Sequence, residues 1–121
     1  MLARKNILEE KAVGYSSRIV KLHKYLMTTK HESVLSKQIL RSGTSIGSNV
    51  SESKFAQSKA DFKSKLMIAL KEANETKFWL EQLLAGSYIT EKQYNSMFED
   101  NVEIIKLLTS ITRTLKDKYG V

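Results

Sequence analysis

Two groups of residues near the middle of the chain have the types that catalysis or metal binding would need. Gly43-Thr44-Ser45-Ile46-Gly47 spells the G-x-S-x-G of a hydrolase nucleophile elbow. An elbow raises its serine on a strained turn between a strand and a helix and needs a histidine later in the chain. Here the pattern lies inside a run of helical spacing, and both histidines, His23 and His31, precede it. The same glycines lack the Gly-Lys-Ser/Thr ending of a phosphate-binding loop. Arg41, Asn49, Glu52, Glu72 and Glu75 form the second group, which has the outline of an acid–base or metal cluster. Carboxylates without histidine or thiolate make a poor transition-metal site. Neither histidine follows a glutamate at the Glu-x-x-His spacing of di-iron bundles. These five residues are expected instead to form a buried polar network between two helices, with Asn49 joining them and fixing their register. No catalytic residue, metal or cofactor is expected.

A third group is electrostatic. Twenty Lys+Arg against thirteen Asp+Glu give a formal net charge of +7, a balance that favours polyanions through long-range attraction and counterion release. Sixteen of the twenty are lysine. Lysine is a flexible point charge, so its nucleic-acid contacts go to phosphates and select little among sequences. Arg4, Lys11 and Arg18 recur every seven residues near the start, with Lys21 and Lys24 behind them, while Lys106, Arg113, Lys116 and Lys118 load the end. Lys11, Arg18, Lys21, Lys24, Lys106 and Arg113 are the candidate nucleic-acid contacts. The bland alternative is a solvated face that keeps the protein soluble.

The elements that must position these groups are helices. Proline is absent and glycine numbers five, so little punctuates the chain in the way short strands and hairpins require. Apolar residues recur at alternating spacings of four and three, the 3.5-residue period of bundle helices. Leu8, Ala12, Tyr15, Ile19, Leu22 and Leu26 mark a first helix over about 4–28, and Phe62, Leu66, Ala69, Ala73, Thr76, Leu80 and Leu83 mark the third. Tyr94, Met97, Asn101, Ile104, Leu108, Ile111 and Leu115 mark the fourth. In the second, Leu35, Ile39, Ser42, Ile46 and Asn49 keep the spacing although small residues replace large ones. Two structures compete over 42–53, an unbroken helix and a break into a loop, and a seam that never slips favours the helix.

Capping signals place the boundaries. Thr29 with Glu32, Ser58 with Asp61, and Thr90 with Gln93 have the spacing of residues that satisfy free N–H groups at a helix start. Gly86 is placed to end the third helix in the left-handed conformation. Four seams and three short connections predict one all-α domain over 1–121, an antiparallel up-down-up-down four-helix bundle.

The chain has more apolar surface than one bundle core needs, since the third helix adds Met67, Ile68, Leu70, Phe78 and Trp79, and the fourth adds Phe98, Val102 and Ile105. Contiguous apolar patches are uncommon on monomers, so self-association is expected. Gly43 and Gly47, one turn apart among serines, let another backbone come close, and with Phe78 and Trp79 they are the expected oligomer interface.

The segment LRSGTSIGSNVSES followed by LMIALKEANETKFWLEQLL resembles the paired signature of four-helix-bundle proteins encoded by intervening sequences within bacterial 23S rRNA genes. Family members usually carry alanine where Gly43 stands and Ile-Ala-Glu-Gly where Val50-Ser51-Glu52-Ser53 stands. The resemblance implies a ring-like homopentamer. A related branch, the accessory variability determinant of diversity-generating retroelements, is a basic pentameric barrel that engages a reverse transcriptase and nucleic acid. Together, the residues and the resemblance give the expectation of a non-enzymatic, self-associating bundle that binds structured RNA or DNA, or a nucleic-acid-processing partner, through a basic face. The alternative is a purely structural assembly module. Absent cysteine, no signal-peptide core and no long apolar run make a cytoplasmic protein without a membrane partner the expectation.

Overall fold

The computed structural model describes residues 2–121, with side chains from residue 7 onward, so the side chain of Arg4 lies outside the described residues. Four helices follow one another: α1 (Leu2–Thr28), α2 (Val34–Ser53), α3 (Lys59–Ala85) and α4 (Glu91–Tyr119). Each packs on the next, and α4 returns more loosely against α1, while the diagonal pairs keep their Cα atoms more than 8 Å apart among the described residues. Cross-helix pairs show the directions. Glu9 meets Lys54 while His23 meets Ser36 across α1 and α2, so these helices run antiparallel, and Lys11 with Glu103 and Arg18 with Asp100 do the same across α1 and α4.

The seams become the core. Leu8, Tyr15, Ile19 and Leu26 of α1, Ile39 and Ile46 of α2, Leu66, Leu80 and Leu83 of α3, and Ile104, Leu108 and Ile111 of α4 are all buried. Phe62, Leu22 and Tyr94 pack partly against that core at its margins. Helix α2 is continuous through the glycine-rich stretch. Its interior glycines each cost about 1 kcal/mol of helix propensity relative to alanine, so tertiary contact must compensate.

The helix boundaries show what the capping signals read correctly and what they missed. Ser58 Oγ accepts from Asp61 N–H, and Thr90 with Gln93 makes the full reciprocal box. At α2 the expected Thr29–Glu32 box does not form. Helix α1 ends at Thr28, the Thr29 N–H donates to the Tyr25 carbonyl, and His31 takes a left-handed conformation with φ 54°. That turn swings Glu32 beneath α2, where its carboxylate alone accepts from the N–H groups of Val34, Leu35 and Ser36 at 3.2, 3.1 and 2.8 Å. Three free donors meet one anion, which also suits the positive end of the helix dipole. Glu32→Ala should therefore cost about 1–2 kcal/mol, and glutamine, which keeps one acceptor oxygen, should recover part of that. Urea midpoints of the three proteins provide the measurement, and equal midpoints would contradict the capping role.

The end of α3 differs in a second way. Gly86 has φ −82°, and the left-handed residue is Ser87, at φ 62°. The Tyr88 N–H reaches the Leu83 carbonyl and the Ser87 N–H reaches that of Leu84, the paired bonds of a Schellman end set one residue later than the glycine suggested.

Candidate nucleic-acid interface

The polar and basic residues singled out by sequence fall into four places. Along the α1–α4 seam, Lys11 Nζ lies 2.6 Å from Glu103 and Arg18 lies 2.5 Å from Asp100. The Arg18 guanidinium also donates to Ser96 Oγ at 2.9 Å. The hydrogen bond to Glu103, with its charge, holds the Lys11 ammonium above the usual lysine range. Both cations are thus committed to joining α1 to α4, where the helices touch least, and their charge is neutralised locally.

Lys21, Lys24, Lys106 and Arg113 make no ion pair among the described residues and lie on exposed surface. Lys21 borders a hollow of about 490 Å³ with Leu22, Tyr25, Lys92 and Met97, at the end of the seam nearest the α3–α4 turn. Lys106 and Arg113 sit two turns apart on α4 beside Thr109 and Thr114. With 1.5 Å of rise per residue, Lys24 and Arg113 stand about 30 Å apart along the bundle axis. The structure therefore sets α1 beside α4 and spreads the cations along the bundle, with Lys21 and Lys24 toward one end, Lys106 midway along α4, Arg113 toward the other end, and Lys11 and Arg18 paired on the seam.

The polar network between α2 and α3 exists in part. Arg41 is paired with Glu72, at 3.3 Å, and with Glu75, whose carboxylate also accepts from Trp79 Nε1 at 3.1 Å. Asn49 does not join the helices. It is half-buried, and its amide donates to the Ser45 carbonyl of its own helix at 2.9 Å. Glu52 is exposed and outside the network. The buried polar link between the middle helices is the Ser42–Thr76 hydroxyl pair at 2.9 Å, carried by short side chains that fit where two backbones come close. The buried amide of the bundle is Asn101, whose Nδ2 donates to the Ala73 carbonyl at 3.0 Å and to the Tyr15 hydroxyl at 3.3 Å. Burial pushes the Tyr15 phenol above its usual value, against the opposing pull of the Asn101 amide. Asn101 was visible as a polar residue on an apolar seam, and that position was the signal of its role.

Gly43 and Gly47 are not an oligomer surface. Both are buried against α1 of the same chain, where a Cβ on Gly43 would lie 2.6 Å from Ile19 Cγ2 and one on Gly47 would lie 2.6 Å from Ser16 Oγ. In the space they leave, the Ser16 hydroxyl donates to the Gly43 carbonyl at 2.7 Å and accepts from the Gly47 N–H at 2.9 Å. One hydroxyl thereby bridges both groups of a single rung of α2. The close approach read from the glycines is real, and its partner is α1. Phe78 remains 48 % exposed and packs edge-on against the partly buried Trp79, with ring centroids 5.0 Å apart.

Nothing in this geometry points to catalysis. Ser45 lies within a continuous helix, and its Oγ donates to the Arg41 carbonyl at 2.8 Å. Among the described residues, no group of three or more His, Cys, Asp or Glu is placed to hold a metal ion, and no helix is long and apolar enough to cross a membrane.

Comparison with known proteins supports the fold. No curated protein matches the chain. A crystal structure of a protein of unknown function from the S23 ribosomal protein family of Bacteroides thetaiotaomicron is similar, at 54 % identity and a TM-score of 0.89. The match covers 91 % of this chain and 98 % of that one. The family model described as 23S rRNA-intervening sequence protein matches residues 4–110. With its four antiparallel helices and that match over most of its length, the chain belongs to the 23S rRNA-intervening sequence protein family.

Proposed function

We propose that this protein is a non-enzymatic, self-associating helical bundle that binds structured nucleic acid through phosphate contacts. The observation that carries the reading is the excess of positive charge left after internal pairing. Among the described residues only Lys11, Arg18, Arg41 and Lys54 are in ion pairs, which leaves Lys21, Lys24, Lys92, Lys106 and Arg113 to face solvent on α1 and α4. The family name refers to 23S rRNA and the Bacteroides relative is assigned to a ribosomal protein family, so RNA is the polyanion to test first. Exposed Met67, Ile68 and Phe78 on α3 favour association into a closed oligomer, for which the family resemblance suggests five subunits. The same side chains support the second reading, a structural assembly module without a nucleic-acid role.

Binding of mixed-sequence RNA and DNA duplexes across a salt series separates the two. Each phosphate contact adds about 0.9 to the magnitude of the slope of log K against log salt on duplex DNA. Reversing Lys24, Lys106 and Arg113 together to glutamate should weaken binding at least about tenfold and flatten the slope, because cations that make phosphate contacts become repulsive. Helicity and oligomer size should hold, since all three side chains are exposed and outside ion pairs among the described residues. Arg18 is left out of this variant because a glutamate there would face Asp100 and loosen the α1–α4 seam. Unchanged affinity and slope would give the lead to the assembly module, and a monomer by light scattering at micromolar concentration would remove self-association from either reading.

A further inference from the structure

Two aromatic rings at one end of the bundle are left in water. Phe55, in the turn after α2, is 79 % exposed, and Tyr119, the last residue of α4, is 50 % exposed. Lysines accompany both. The Lys54 ammonium lies 5.8 Å from the Phe55 ring centroid, and that of Lys59 lies 4.4 Å from the Tyr119 centroid. Lys54, Lys59 and Tyr119 line one hollow of about 280 Å³ between the α2–α3 turn and the end of α4, together with Gln57, Ser58 and the apolar Phe62 and Leu115. Lys116 and Lys118 on the last turn of α4 and Lys59 on the first turn of α3 make no ion pair among the described residues. Of the nearby acids, Glu9 is paired with Lys54 at 2.8 Å and Asp61 accepts from the Gln57 N–H, while Glu52 and Asp117 are exposed and make no ion pair among the described residues.

Exposed aromatic faces interleaved with unpaired lysines have a specific physical use. A base can stack on an aromatic side chain only when it is unpaired, whereas a duplex offers phosphates and groove edges and hides its base faces. Stacking tolerates any base, since each has a π face, and lysine holds the backbone without reading it. A turn residue such as Phe55 is also free of the packing that fixes rings in the core.

We propose that this end of the bundle is a platform for single-stranded nucleic acid, on which unpaired bases stack against Phe55 and Tyr119 while Lys59, Lys116 and Lys118 hold the adjoining phosphates. The inference rests on the nucleic-acid reading above and deepens it, because it specifies an unpaired segment as the part recognised at this end. A second copy of this chain covering Phe55 is the competing occupant.

The test measures anisotropy of two labelled probes on the intact protein, an oligouridylate of about 12 nucleotides and a mixed-sequence duplex of about the same length, at low and moderate salt. The single strand should bind more tightly than the duplex. Phe55→Ala with Tyr119→Ala should lower single-strand affinity about tenfold and leave duplex affinity within about twofold, whereas Phe55→Trp should retain single-strand binding. Equal losses on both probes, or no loss on either, would overturn the platform while leaving the phosphate-binding surface standing. Failure of both probes to bind at low salt would overturn the platform and the nucleic-acid reading together, and failure of the single strand alone would overturn the platform. A change in oligomer size in the double variant would assign Phe55 to a subunit contact and equally overturn the proposal.

Discussion

Replacing Asn101 by aspartate should cost the bundle at least about 3 kcal/mol at neutral pH, by burial of an unpaired charge. Asn101 is fully buried, and its Nδ2 supplies the hydrogens that the Ala73 carbonyl and the Tyr15 hydroxyl receive. An ionised carboxylate has no hydrogen to give, so it would face the Ala73 carbonyl oxygen with no water to screen it. The folded protein would then hold the acid protonated well above the ordinary aspartate value of about 3.9. Between the unfolded and the raised folded value the native state carries the extra proton, so stability falls as pH rises through that interval. Below about pH 4 both states are protonated and the variant should approach wild type. Asn101→Leu removes the amide without adding charge, leaves the Tyr15 hydroxyl without this partner, and should cost about 1–3 kcal/mol with no such pH dependence. Urea denaturation at acid and neutral pH measures each term, and an aspartate variant as stable at pH 7 as at pH 4 would show that water reaches this site.

Alanine at Gly47 and alanine at Gly14 should move stability in opposite directions, although both glycines are interior to helices. At Gly14 a Cβ meets nothing within 4 Å, so the substitution gains helix propensity and should stabilise by about 0.5–1 kcal/mol. At Gly47 the Cβ would fall 2.6 Å from Ser16 Oγ and 3.2 Å from the Ala12 carbonyl oxygen. Helices α1 and α2 would have to separate, losing the Ser16 bridge as well as packing, so the net effect after the propensity gain should be a loss of about 1–3 kcal/mol. Near 4 °C of melting temperature per kcal/mol is expected at this chain length, roughly, so the two variants should melt clearly on either side of wild type. Stabilisation by both would mean that the α1–α2 contact is slack.

The architecture was legible because bundle folding is largely a matter of period. A seam of fours and threes commits a helix to one buried face whatever covers it, and the absence of proline left no competing breaks. That is why four helices, the continuity of α2 through Gly43 and Gly47, and the starts at Ser58 and Thr90 could be read directly. Capping by Ser58 and Thr90 is a local interaction between residues three apart, so spacing carries it. Resemblance in the two middle helices likewise identified the family, which the match over residues 4–110 bears out.

Partner choice was not legible, since it depends on which side of each helix meets which neighbour. Two glycines a turn apart announce that a backbone comes close without saying whose, and the three-dimensional packing assigned them to Ser16 and Ile19 of the same chain. Asn49 and Asn101 occupy comparable seam positions. Only the depth of packing separated them, leaving Asn49 to bond within α2 and burying Asn101 between α1, α3 and α4. Charge shows the same division. Composition fixed the net +7, but Lys11 and Arg18 lost their freedom because antiparallel packing of α1 on α4 set Glu103 and Asp100 opposite them. Periodicity is a property of one helix and can be read along the chain, whereas pairing is a property of two and is decided only when their faces meet.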